Sequence, residues 1–70
     1  MVSFFECRGQ FVRYETRDLA DGTFELSVIQ PDGEERVEQF PSAKALDTRI
    51  ADLERYFKIS GWYGPYGRRS

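Results

Sequence analysis

The chain has 70 residues, among them one cysteine and no histidine, and its formal net charge at pH 7 is −2. A single thiol cannot form an intrachain disulfide, and this composition lacks the four Cys or His ligands of a structural zinc site. No apolar stretch approaches the ~20 residues that cross a bilayer. The sequence therefore predicts one small domain with no membrane span, no metal and no cofactor.

The N-terminal segment is interpreted as the beginning of the first strand. Phe4 and Phe5 are adjacent, so a strand would direct their side chains to opposite faces. Gly9 is either a bulge in one long strand or a bend between two short strands, and we expect one continuous, kinked strand. The segment has no basic start followed by an apolar run, so no signal peptide is expected. The lone Cys7 fits a reducing compartment, which predicts a cytoplasmic protein.

Three stretches before residue 41 have the pattern of half-buried strands. FVRYETR, FELSVIQ and ERVEQF alternate apolar and polar residues. The segments DLADG and QPDGE separate them, and their Asp and Gly residues are typical of tight turns. The sequence therefore predicts a three-stranded antiparallel meander within residues 3–40.

The strand period of two divides the side chains of this meander between two faces. Centring the first hairpin on Ala20 places three pairs beneath the helix, namely Thr16 with Phe24, Tyr14 with Leu26, and Val12 with Val28. The opposite face then carries Phe11 beside Ile29, Arg13 beside Ser27, and Glu15 beside Glu25. In the third strand we expect Val37 to face the core and Phe40 to turn inward near the start of the helix.

The second half of the chain predicts one helix from about residue 43 to residue 59. Ser42 is the candidate N-cap. Apolar residues then recur at steps of three and four and form one stripe: Ala43, Leu46, Ile50, Leu53 and Phe57. Gly61 is expected at C′, which places Trp62 in contact with Phe57. The predicted fold is a single α+β domain over residues 1–70, with the C-terminal helix packed on one face of the meander.

The aromatic and glycine-rich tail, residues 61–70, contains further candidate residues. Tyr63 and Tyr66 alternate with glycines, and Arg68 and Arg69 follow them. Aromatic rings can stack on unpaired bases while arginines bind phosphates, so one interpretation is nucleic-acid binding. The other interpretation is that the tyrosine rings pack on the fold and the arginines are solvated. The segment from residue 18 to residue 40 contains seven acids and one arginine, which disfavours a polyanionic partner.

No residue is predicted to be catalytic. Histidine, the commonest general acid–base residue, is absent, and Cys7 therefore lacks a histidine that could activate it as a nucleophile. Asp18 with Asp21, and Glu34 with Glu35, lie in predicted turns, where such residues serve the backbone. The sequence predicts a protein that is not an enzyme.

Several short motifs, namely YETR, DG-x-FEL, PDGEE, LERYF and GW-x-GP-x-G, are similar to those of short uncharacterised bacterial proteins. This resemblance spans most of the chain and implies no known activity. The order strand–strand–strand–helix resembles the DNA-binding domains of a plant transcription-factor family and the arm-binding domains of tyrosine integrases. Those domains contact DNA mainly with Arg, Lys and Trp, where this chain has Glu15, Glu25, Phe11 and Ile29. The resemblance in architecture therefore does not imply DNA binding here.

The favoured hypothesis is a small interaction module that binds a protein partner or a second copy of itself as a homodimer. The apolar pair of Phe11 and Ile29 on the sheet face opposite the helix is expected to have a cover, and the candidates are the aromatic tail, the segment with Phe4 and Phe5, and a second molecule. An exposed apolar pair is typical of interaction sites. A chain of this length buries only about 60% of its unfolded surface, so association would add stability. The alternative function is nucleic-acid binding through the tail or the sheet face. The candidate partner-binding residues are Phe11, Ile29, Arg13, Tyr63, Tyr66, Arg68 and Arg69.

Overall fold

A computed structural model describes residues 2–68 of the chain. The elements follow in the order β1 (Val2–Cys7), β2 (Gln10–Asp18), β3 (Phe24–Ile29), β4 (Glu35–Phe40), α1 (Ala43–Ile59) and β5 (Tyr63–Arg68). The strands form one antiparallel sheet in the order β4-β3-β2-β1-β5, and α1 packs on one face of it. The α+β class with one helix is confirmed, but the predicted three-stranded meander undercounts a five-stranded sheet. No helix within residues 2–68 is long and apolar enough to cross a membrane.

The N-terminal segment forms its own strand, which corrects the prediction of one kinked strand. Cys7 lies opposite Gln10, so Arg8 and Gly9 form a two-residue hairpin loop between β1 and β2. Their φ angles are 53° and 80°, as in the type I′ turn that suits the twist of paired strands. Asn or Asp is usual at the first loop position. Because Arg8 occupies it, the sequence lacks the signal that would predict this hairpin.

The C-terminal tail is the fifth strand. At the end of α1, the Trp62 N–H donates to the Phe57 carbonyl at 2.9 Å and the Gly61 N–H donates to the Lys58 carbonyl at 3.2 Å. These are the hydrogen bonds of a Schellman helix end. The Trp62 ring also meets the Phe57 ring edge to face, with centroids 5.6 Å apart, so the predicted contact is confirmed. The chain then turns back along β1, and residues 63–68 join the sheet.

Gly67 provides a test of this pairing. A Cβ atom at Gly67 would lie 2.6 Å from the Val2 carbonyl oxygen, and the φ angle there is 135°. We expect Gly67→Ala to destabilise the protein by about 1–3 kcal/mol, because it adds a backbone clash to an unfavourable φ angle. Urea unfolding monitored by circular dichroism measures this effect.

The matched control is Gly33→Ala. Gly33 has a φ angle of 91°, but a Cβ atom there would meet nothing within 4 Å. This variant therefore introduces backbone strain without a clash, and its effect should be clearly smaller. Equal losses in the two variants would contradict the close packing of β5 on β1.

The hairpins β2–β3 and β3–β4 use the same kind of turn. The Leu19 N–H donates to the Thr23 carbonyl at 2.9 Å, and the Gln30 N–H donates to the Glu34 carbonyl at 2.8 Å. In the first turn the Thr23 hydroxyl and N–H donate to the Asp21 carboxylate, and they hold the pKa of that carboxyl below its ordinary value. The first hairpin is therefore centred on Asp21, one residue beyond the predicted centre at Ala20.

The register of β2 and β3 consequently differs from the predicted one by two residues. Tyr14 lies opposite Val28, where Leu26 was expected, and Arg13 takes the predicted place of Phe11 opposite Ile29. The assignment of faces remains correct, because a shift of two residues keeps every side chain on its face. The predicted pairing of Glu15 with Glu25 is wrong: Arg17 lies opposite Glu25 and forms an ion pair with it, with Nη2 and Oε1 2.7 Å apart.

The core lies between α1 and the sheet face beneath it. Its buried apolar side chains are Phe5, Val12, Tyr14, Leu26, Val28, Leu46, Leu53 and Phe57. Phe5, which the sequence left unassigned, contacts Tyr14 and Phe57, with ring centroids 6.0 and 5.1 Å apart. The buried Tyr14 hydroxyl donates to Glu54 Oε2 on the helix at 2.6 Å, which links the helix to the sheet. Ala43 is exposed, so the buried stripe of α1 begins at Leu46.

The side chains of β4 face the opposite sides of the sheet from those that the sequence predicts. Val37 lies opposite Ser27 on the face away from α1 and is 53% exposed, so the prediction that it faces the core is wrong. Phe40 lies opposite Phe24, and both pack against the core. The two residues have opposite parity, so only one of them can face inward. Phe40 does so because it is the larger apolar side chain and stands next to the start of the helix.

Candidate interaction surface

The sheet face opposite α1, called the outer face below, carries three aromatic rings on neighbouring strands. Phe4 on β1 lies between Phe11 on β2 and Tyr66 on β5. Its ring centroid is 5.7 Å from that of Phe11, at an interplanar angle of 67°, and 5.6 Å from that of Tyr66, at 39°. Both distances are favourable for aromatic pairs. We call Phe11, Phe4 and Tyr66 the aromatic row.

The aromatic row remains open to solvent. Phe11 is 53% exposed and Tyr66 is 49% exposed, while Phe4 between them is half-buried. The helix packs on the other face, and no other element within residues 2–68 lies over the row. A contiguous exposed apolar patch of this kind is typical of a binding surface.

The charges on the outer face are mixed, with an excess of carboxylates. Arg13 lies opposite Phe4 and next to the row, whereas Arg17 is already paired with Glu25. Among the side chains that the structure describes on this face, two are guanidinium groups and four are carboxylates. The carboxylates are those of Glu6, Glu15, Glu25 and Glu35. The described side chains of the outer face therefore include two more carboxylates than guanidinium groups.

The candidate residues from the sheet lie close together, though in a different arrangement from the predicted one. Phe11 and Ile29 are not directly opposite each other. They nevertheless line one shallow depression of about 440 Å³ together with Arg13. Ile29 is half-buried there, so Phe11 provides most of the exposed apolar surface at this end of the sheet.

The candidate residues from the tail join the same face through β5. Tyr66 lies opposite Phe4 and completes the aromatic row, and Tyr63 lies opposite Glu6 with 65% of its surface exposed. The backbone of Arg68 pairs with Val2 at the end of the strand. Arg69 lies outside the described residues. The sheet and the tail, which the sequence presents as two separate candidate sites, thus contribute to one surface.

Phe4 is the central residue of this surface, and it was not among the candidate partner-binding residues predicted from the sequence. Adjacent phenylalanines in a strand face opposite ways, so one of Phe4 and Phe5 had to face outward. The sequence alone did not show which one, because it did not define β1 as a separate strand. The structure buries Phe5 completely and places Phe4 on the outer face.

Metal-ligating side chains are not clustered in the part of the chain that the structure describes. No group of three or more carboxylates and thiols within residues 2–68 could hold a metal ion. The Cys7 thiol is free and half-buried. What the surface offers is aromatic rings and isolated charges, which can make packing contacts, hydrogen bonds and ion pairs with a partner.

Comparisons with known proteins do not assign this chain to a family. No protein-family model, no curated protein and no solved structure matches the chain.

Proposed function

We propose that this protein is a small, non-enzymatic interaction module that binds a protein partner through the aromatic row. The observation that carries the proposal is the half-exposed pair Phe11 and Tyr66, held on either side of Phe4 on an uncovered sheet face. Aromatic side chains are enriched in the buried centres of protein interfaces, where a few of them contribute most of the binding energy. The lone thiol of Cys7 supports placing this module in the reducing cytoplasm.

The charges around the row indicate the kind of partner. Carboxylates outnumber guanidinium groups on the described part of the outer face, and Glu6 and Glu15 lie on the two strands that carry Phe4 and Phe11. Charge complementarity then favours a partner with an apolar patch bordered by Lys or Arg. The same carboxylates would repel a polyanion.

A second candidate function is single-stranded nucleic-acid binding. The observation in its favour is the row of rings on a β-sheet surface with Arg13 beside it. Sheet-borne aromatic rings stack on unpaired bases in several RNA-binding folds, at about 1–3 kcal/mol per base. We rank this function second because of the surrounding carboxylates.

Phe11→Ser should abolish partner binding without unfolding the protein. Phe11 is half-exposed and outside the core, so its loss removes binding surface and little stability. The experiment is affinity capture from a lysate of the native host, with and without nuclease, on the wild type and the variant. We expect a protein that the wild type retains after nuclease treatment and that Phe11→Ser does not retain.

Ile59→Ser is the matched control, since Ile59 is 79% exposed at the end of α1 and away from the outer face. It should capture the same protein as the wild type. Capture that nuclease removes would support the nucleic-acid function. If Phe11→Ser retained the partner as well as the control does, the aromatic row would not be the binding site.

A further inference from the structure

The sheet has two edge strands, β4 and β5, and they differ in their ability to pair with another strand. Strand β5 contains Pro65, which has no N–H to donate, and two glycines. Strand β4 has the sequence ERVEQF, with no proline or glycine. Strand β4 pairs with β3 on one edge, and no strand among the described residues pairs with its other edge. An edge of this kind presents a row of unpaired backbone groups to a neighbouring chain.

The turn before β4 determines which backbone groups face this open edge. Gln30 and Glu34 form a hydrogen-bonded pair at the start of the β3–β4 ladder. Hydrogen-bonded and non-hydrogen-bonded pairs alternate along an antiparallel ladder. The backbone N–H and C=O groups of Arg36 and Glu38 are therefore hydrogen-bonded to β3. The backbone N–H and C=O groups of the alternate residues, Glu35, Val37 and Gln39, therefore point away from β3 toward the open edge.

We propose that β4 pairs with β4 of a second copy, antiparallel, about a two-fold axis at Val37. In this register Val37 lies opposite its own copy in a hydrogen-bonded pair, because its backbone groups face the edge. Arg36 then lies opposite Glu38 of the other copy, and the two-fold axis produces this opposite-charge pair twice. The 53% exposed Val37 side chains become neighbours on the outer face.

The charges on β4 favour this register over the two neighbouring registers of the strand pair. Moving the two-fold axis to Arg36 places two arginines opposite each other, and moving it to Glu38 places two glutamates opposite each other. Like charges directly opposite in a ladder are destabilising, whereas opposite charges are stabilising. Charged residues on an edge strand usually prevent pairing, but here their order makes the strand complementary to itself.

The side chains of Arg36 and Glu38 can form further hydrogen bonds with the second copy. Among the described residues, Arg36 donates only through Nε, to Glu34 Oε1 at 3.2 Å. Glu38 accepts one hydrogen bond from the residues that the structure describes, donated by Arg49 Nε at 3.2 Å. A guanidinium has five donors and a carboxylate about four acceptor positions, so the intermolecular pairs add to these contacts without displacing them.

The resulting dimer has one continuous ten-stranded sheet, with both helices on one face and both aromatic rows on the other. The rows lie on β2, β1 and β5, away from the shared β4 edge, and remain open. The dimer therefore presents the outer face twice. Its formation does not depend on the function proposed for that face.

Charge reversal tests the register. We expect the wild type to form a dimer whose fraction rises with concentration in analytical ultracentrifugation. Arg36→Glu and Glu38→Arg should each weaken self-association by about tenfold or more, because each variant places like charges opposite each other. An equimolar mixture of the two variants should dimerise again, since two negative residues of one chain then face two positive residues of the other.

Two further variants separate this result from a loss of folding. Arg55→Glu makes the same change of charge on the exposed side of α1 and should leave the dimer intact. Val37→Pro removes an N–H that faces the edge, so it should abolish the dimer while the circular dichroism of the folded chain is retained. A wild type that stays monomeric at every concentration would overturn the proposal. It would also be overturned if the folded Arg36→Glu and Glu38→Arg variants failed to associate when mixed.

Discussion

Phe5→Ala should unfold a large part of the population in the absence of denaturant. Phe5 has no exposed surface, and its ring packs between Tyr14 on β2 and Phe57 on α1. Truncation of an enclosed phenylalanine costs about 3–5 kcal/mol. A single core of this size rarely supplies more than about 3–5 kcal/mol of net stability, so the loss approaches the whole free energy of unfolding. Thermal unfolding monitored by circular dichroism measures it.

Phe4→Ala is the matched control for this prediction. The two residues are adjacent in β1, but Phe4 lies half-buried on the outer face. Its truncation removes two ring contacts on the outer face and leaves the core intact, so the loss should be about 1–2 kcal/mol. If Phe4→Ala were the more destabilising of the two, the faces of β1 would be assigned the wrong way round.

Leu53→Ala should have the second largest effect, a loss of about 2–3 kcal/mol. Leu53 is 6% exposed at the centre of the buried stripe of α1. It also lines an open cleft of about 340 Å³ between α1 and the sheet, together with Val28 and Phe57. Water and neighbouring side chains can enter the space that Leu53 leaves, so we expect the lower part of the Leu→Ala range. Urea unfolding gives the free energy directly.

The control for Leu53→Ala is Arg55→Ala, two residues along the same helix. The Arg55 side chain is 69% exposed, and its only ion pair among the described residues is with Asp52, at 3.6 Å. An exposed pair of this kind contributes little, so the change should stay within about 0.5 kcal/mol. Losses of similar size at the two positions would mean that α1 buries a different side.

The helix could be predicted from the sequence because all of its signals are local. Ser42 is the N-cap and accepts a hydrogen bond from the Ala45 N–H at 3.2 Å. The apolar period places Leu46, Leu53 and Phe57 on one side, and Gly61 ends the helix. Each of these features depends on residues within about four positions of each other.

The fifth strand could not be predicted in this way. The tyrosines of β5 are three residues apart, and the ladder with β1 shifts between Phe4 and Glu6, so the alternation that marks a strand is broken. Glycine and proline are also depleted in strands generally. They are compatible with β5 because it is an edge strand that lies very close to the backbone of β1.

The candidate surface was predicted in its parts and not in its arrangement. Phe11, Arg13 and Tyr66 were each identified from local patterns. The aromatic row requires β5 to lie beside β1, a pairing of residues about 60 positions apart that no local pattern encodes. The position of Phe4 could not be predicted either. It depends on the hairpin loop at Arg8 and Gly9, which makes β1 a separate strand from β2.

Site-specific photo-cross-linking at position 11 is the most direct test of the proposed surface. The photoreactive residue benzoylphenylalanine replaces Phe11 in the native host, and a second strain carries it in place of Ile59, which is exposed on α1. The proposed function predicts a discrete protein adduct from position 11 on irradiation and none from position 59. A nucleic-acid adduct from position 11, or a protein adduct from position 59 alone, would contradict it.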